Sequence, residues 1–172
     1  RSMKDRVYLD YNATAPLRPE ARAAMVAAMD VAGNPSSVHA EGRAAKAIVE
    51  KARAQVGAAS GASGADVVFV SGATEGAGLA LGGRTLSGAE IEHDAVAGWI
   101  LPELPVQSDG SVVVEDPGGS TLQLANSETG VMQDLPAGLA VSDVTQGFGK
   151  VPFAFSWSDV GIALISAHKL GG

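Results

Sequence analysis

Gly161-Ile162-Ala163-Leu164-Ile165-Ser166-Ala167-His168-Lys169, close to the end of the 172-residue chain, sets a short apolar run directly before a lysine. A run of this kind with no polar face is the pattern of a strand covered on both sides in an α/β sheet. Ser166 ends it. A lysine just past the carboxyl end of such a strand stands where open α/β sheets hold ligands. Partly desolvated, its amine would have a lowered pKa and could form a Schiff base with a carbonyl compound. A lone loop lysine is more often simply solvated, so the other stretches decide between the two readings.

Moving outward, Leu139 to Asp143 reads as a second strand ending in an acid, followed by Val144-Thr145-Gln146. The Asp143 carboxylate could pair with a protonated pyridine nitrogen, and Gln146 could hydrogen-bond a neighbouring ring substituent. Asp66 to Val70 reads as a β-branched strand feeding Ser71-Gly72-Ala73-Thr74-Glu75-Gly76, with a helix opening at Thr74. That turn can offer backbone N–H groups and a hydroxyl to a phosphate, or serve as an ordinary N-cap. It is no dinucleotide fingerprint, because Gly76-Ala77-Gly78 falls inside the helix. Gly149-Lys150 is no P-loop either, since Val144 and Val151 stand where a glycine and a hydroxyl residue are required. Glu92-His93-Asp94 offers a histidine that could stack on an aromatic ring and exchange protons near neutral pH, and no second histidine lies at metal-ligand spacing.

Between these stretches the chain alternates. After Val7–Asn12 and a proline-containing run, a helix is expected from Pro19 to about Asp30, with Ala21, Met25 and Met29 on one face. Gly33-Asn34-Pro35-Ser36-Ser37 breaks the chain. Ser37 or a neighbour caps a longer helix to about Ala59, whose apolar stripe is Ala45, Ile48, Val49, Ala52, Val56 and Ala59. Ile91, Val112–Val114 and Thr121–Ala125 each allow a brief strand. Strands interleaved with helices predict an α/β fold with a mainly parallel sheet.

Length predicts one domain with a proper core. With 18% charged residues and a formal net charge of −7, a nucleic-acid role relying on a basic surface has no support. No apolar run approaches the roughly 20 residues of a spanning helix, and Arg1-Ser2-Met3-Lys4-Asp5 lacks the apolar core of a signal peptide. A soluble cytoplasmic protein is therefore expected, with Met3 as its native start. The chain has no cysteine, which excludes disulfides, thiolate metal sites and a thiol nucleophile within these residues.

Taken in order, Tyr8-Leu9-Asp10-Tyr11-Asn12-Ala13-Thr14-Ala15-Pro16, Gly33-Asn34-Pro35-Ser36-Ser37-Val38-His39, Ser71–Glu75, Glu92-His93-Asp94-Ala95-Val96, Asn126-Ser127-Glu128-Thr129-Gly130, Asp143–Gln146 and Ser166–Lys169 resemble the cysteine desulfurase family. These are class V aminotransferase-like enzymes of pyridoxal phosphate (PLP) fold-type I. The resemblance runs nearly end to end and implies a three-layer α/β large domain, present in part. Residues 1–18 would be an N-terminal extended segment and 19–172 a partial PLP-binding domain, with the family's C-terminal small domain absent.

The resemblance further implies that Lys169 carries the cofactor and later moves protons at the substrate's α-carbon. His93 would stack on the ring, Asp143 hold its nitrogen and Gln146 its hydroxyl, while Ala73, Thr74, Ser166 and His168 hold the phosphate. Asn126 and Ser127 lie where the family has two successive asparagines near the ring. The implied reaction takes sulfur from L-cysteine, leaves L-alanine, and passes the sulfur to an iron–sulfur scaffold or other acceptor, in a homodimer without membrane or nucleic-acid partners. A class V aminotransferase or lyase acting on another amino acid needs the same residues, and a non-catalytic domain binding a sulfur-transfer partner would keep the fold alone. The segments between Gly82 and Glu92, Trp99 and Asn126, and Asp134 and Asp143 are shorter than is usual in the family.

Overall fold

A computed structural model describes residues 6–172, so the expected start at Met3 lies outside the described residues. Elements run in the order α1 (Pro19–Met29), α2 (Ala40–Ala59), α3 (Ala73–Leu81), β1 (Ser87–Gly88), α4 (Asp94–Ala97), β2 (Leu101–Pro102), β3 (Val141–Asp143), α5 (Phe155–Ser158) and β4 (Ile162–Leu164). The parallel pairs β1·β2 and β3·β4 are joined by parallel bridges Ser87–Ser120 and Thr121–Val141. The sheet therefore runs β2, β1, the 120–121 segment, β3, β4. Every rung is parallel, as the alternation of strands and helices predicts.

The strands are short because small and turn-forming residues interrupt them. Thr121–Ala125 makes only bridges at its ends, Val112 makes one antiparallel bridge to Val106, and Ile91 sits in a turn. Asp66–Val70 joins no strand at all. Across from it β4 pairs on one side only, with β3, so among the described residues its other edge is free. Ile162 is consequently 36% exposed, and the two-sided cover expected of Gly161–Ile165 is absent.

The main core joins α3, α4 and the sheet through Ala77, Leu81, Leu86, Val96, Val141 and Leu164. A smaller cluster holds Leu122, Leu139 and Val160. The long helix starts two residues later than a Ser37 cap would set it, because His39 is the N-cap and its ring accepts from the Gly42 N–H. Among the residues of α1 none is buried, and α2 buries only Gly42. Their alanine-rich stripes are too shallow to hold them down.

Candidate functional site

Asp143, Gln146 and Lys169 stand at or past the carboxyl ends of the parallel strands β3 and β4, where neighbouring segments diverge and leave a crevice. β3 ends at Asp143, buried at 8% exposure, whose Oδ1 accepts from the Thr145 N–H at 3.0 Å. That short Asx-type link turns the chain and presents Gln146. β4 runs into buried Ser166 and a single 3-10 turn, Ala167–Lys169, which carries the lysine at its end.

The Asp10–Ala15 segment straps across these ends. Asn12 Nδ2 donates to the Ser127 carbonyl at 2.7 Å, Thr14 Oγ1 meets His168 Nδ1 at 3.0 Å, and the Ala15 N–H donates to the His168 carbonyl at 2.8 Å. The Asn12 carbonyl accepts twice. Lys169 Nζ donates to it at 2.5 Å and Gln146 Nε2 at 3.0 Å, while Lys150 Nζ donates to Gln146 Oε1 at 2.7 Å. Burial and the charge of Lys169 lower the pKa of the Lys150 amine.

The Ser71–Thr74 turn opens a helix, α3, one residue earlier than Thr74. α3 is capped by Gly72, which offers no side-chain acceptor, so the first turn keeps free N–H donors at Ala73 and Thr74. The Glu75 carboxylate turns back to accept from the Ser71 N–H at 2.6 Å, a bond that holds its pKa low. His93 is the N-cap of the short α4, its Nδ1 accepting from the Ala95 N–H at 3.1 Å, which leaves the proton on Nε2.

One cavity of about 1460 Å³ gathers Ala73, Thr74, His93, Ser127, Asp143, Gln146, Ser166, His168 and Lys169 in its wall. Asn126 is not on that wall. Its Nδ2 donates to the Ile91 carbonyl, and its Oδ1 accepts from the N–H groups of Glu128 and Thr129 and from Thr129 Oγ1. The whole amide is therefore used to hold the 126–130 turn against the segment that carries His93.

Three polar residues of the region escape a reading by sequence. Among the described residues Thr145 Oγ1 has no hydrogen-bond partner, although it is buried on a residue that lines the cavity. Glu92 is 6% exposed; its Oε1 accepts from the Gln123 N–H at 2.9 Å and its Oε2 has no partner among the described residues. Burial pushes its carboxyl up to about 8, against the Gln123 bond and with help from the Asp143 charge. Lys150 is the third. The only sequence signal for it is its place four residues after Gln146.

The family model for Aminotransferase class-V matches residues 7–95. The cysteine desulfurase of Frankia sp. (strain EuIK1) is 36% identical over 212 aligned residues, 96% of this chain and 50% of that protein. An IscS-like cysteine desulfurase of Mycobacterium tuberculosis is 30% identical, across 96% of this chain and 52% of its own. Among solved structures, the NifS-like protein from Rickettsia africae ESF-5 superposes with a TM-score of 0.83 at 29% identity, over 96% of this chain and 55% of that one. The chain spans about half the length of the curated relatives it matches. An alignment of 212 residues exceeds the 172 residues here, so the Frankia relative carries residues between the matched motifs that this chain does without. That agrees with the shortened segments expected from the sequence.

Proposed function

Because this chain belongs to the aminotransferase class-V family, we propose that it is the PLP-binding portion of a cysteine desulfurase. The observation that carries this reading is convergence: Lys169, Asp143, Gln146, His93 and the first turn of α3 reach one cavity from separate segments. The fit to PLP rests on the cavity wall. Thr145 Oγ1 is buried there and needs a polar ligand atom, and the uncapped first turn of α3 suits an anion. When bound, PLP supplies an electron sink for charge left at the substrate's α-carbon.

The chain's own residues would divide the work. Lys169 would hold the cofactor's aldehyde carbon and then move a proton at the substrate's α-carbon. Asp143 would keep a proton on the pyridine nitrogen, and its burial beside a hydrogen-bonded turn holds the carboxylate in place for that task. His93 would lie against the ring, with its orientation fixed by the Ala95 bond. Gln146 Nε2 would donate to the ring hydroxyl. Ala73 N–H, Thr74, Ser166 and His168 would hold the phosphate, and Ser127 would flank the ring, while Asn126 would support the turn beside it. For Lys169 and Gln146 to act, the Asn12 carbonyl must release both.

In this reading the substrate is L-cysteine, the product L-alanine, and the sulfur goes to an acceptor protein for iron–sulfur cluster assembly. The thiol that takes the sulfur must lie outside these 172 residues, which contain no cysteine. A cytoplasmic homodimer belongs to the same reading. The test is an absorbance scan of the chain with added PLP, then borohydride reduction, intact mass and peptide mapping. A visible-region band and a reduced adduct on Lys169, both lost in Lys169→Ala, are expected. Absence of any adduct in the parent chain, or an adduct unaffected by Lys169→Ala, would sink the reading.

A further inference from the structure

Gly149-Lys150 fails as a P-loop, yet Lys150 belongs to the hydrogen-bonded group of Gln146, Asn12 and Lys169. From Val144 to Val151 the chain makes consecutive tight turns: Phe148 N–H donates to the Val144 carbonyl and Val151 N–H to that of Gly147. Two glycines make this possible. A Cβ at Gly147 would stand 2.4 Å from Leu124 Cδ2, and Gly149 sits at φ +73°. The turns bring Lys150 back beside Gln146, four residues earlier.

A glutamine amide has one donor end and one acceptor end of nearly equal shape, and which way it points depends on its partners. Here both ends are matched. Lys150 carries an ammonium, which only donates, and it meets Oε1 at 2.7 Å; the Asn12 carbonyl only accepts, and it meets Nε2 at 3.0 Å. That carbonyl also takes the Lys169 amine at 2.5 Å, so two donors are aimed at a single oxygen. When Asn12 gives way to a ligand oxygen, Lys150 is the remaining partner that holds the amide in this sense.

We propose that Lys150 is a positioning residue: it fixes the amide of Gln146 with its N–H donors turned to the point at which the Lys169 amine is also aimed. A ligand with an anionic or phenolic oxygen beside the carbon that Lys169 attacks is thereby selected over one with a donor there. This rests on the PLP reading for the identity of that oxygen, but the Lys150–Gln146 bond itself does not depend on it.

The experiment therefore has two arms, both on the 172-residue chain, with circular dichroism confirming that each variant keeps its fold. In the first, without PLP, the Gln146 side-chain NH2 signals are assigned in a ¹⁵N–¹H spectrum by their loss in Gln146→Leu. Lys150→Met is expected to shift them and Lys150→Arg to restore them; unmoved signals in Lys150→Met overturn the proposal. The second arm measures PLP affinity. Lys150→Met and Gln146→Leu should each weaken it about fivefold, the scale of one ordinary hydrogen bond, and the double variant no further. Losses that multiply would mean that Lys150 acts through its own charge and overturn the proposal. If the parent chain takes no PLP, the functional reading fails while the spectrum still decides on Lys150.

Discussion

Glu92 is the residue at which folding and site chemistry meet most directly. Its carboxyl ionises near 4.5 in the unfolded chain and is pushed up to about 8 in the folded one, mainly by burial. Between those values the folded state alone holds the proton. The stability is therefore full below pH 4.5 and falls as the pH rises through 8, where the buried charge must form beside Asp143. Thermal melts should show the parent chain losing stability from pH 5 to 8, by an amount on the order of 2–4 kcal/mol. Glu92→Gln should flatten that slope, because its Oε1 still accepts from the Gln123 N–H. A variant with the same slope as the parent would assign the pH dependence elsewhere. Sequence displayed Glu92 next to His93, yet nothing local marks it as buried. Lys169, Asp143 and Gln146 were readable because strand ends announce themselves in the pattern of apolar runs. Glu92 owes its environment to Gln123, 31 positions away, Lys150 to Gln146, four positions away, and Thr145 to a cavity wall gathered from several separate segments.

At the scale of elements, helix periodicity survived better than strand reading. α1 and α2 follow their sequence pattern closely, since helical bonds close locally and need no partner. Strands need one. Val67-Val68-Phe69-Val70 has strong strand propensity but no neighbouring ladder, and propensity alone does not create a strand. β4 forms because β3 supplies its ladder, and Gly161 is what lets the two approach. The Gly161 N–H donates to the Leu139 carbonyl at 2.8 Å, and a Cβ there would stand 2.8 Å from the Ala140 carbonyl oxygen. Gly161→Ala should therefore cost about 2 kcal/mol and lower the melting temperature by roughly 4–8 °C. A variant melting with the parent would show that the β3–β4 junction relaxes without penalty. Because β4 delivers Ser166 and Lys169, the same variant should also weaken capture of PLP by the lysine.

Across the whole molecule, the ordered centre is the parallel sheet with α3 and α4, and the long helices lie largely exposed around it. The same large cavity that gathers the polar residues continues between Val67–Val70 and Ile162–Ile165. On one side of it is the free edge of β4, and on the other an extended apolar segment with Val68 72% and Phe69 49% exposed. Backbone donors and acceptors with no ladder partner, flanked by valines and isoleucines, are a template for pairing between molecules. Net charge of −7 opposes association only at long range and is screened by salt. Light scattering of the chain should thus grow with protein concentration and with added salt, and Val68→Lys, a charge set in the exposed run, should suppress it. Scattering unchanged by that substitution would exonerate this segment. The gap beside β4 thus bears on how the protein can be handled: the concentration at which it stays monodisperse is expected to depend on one unpaired strand edge, whatever the state of the lysine at its end.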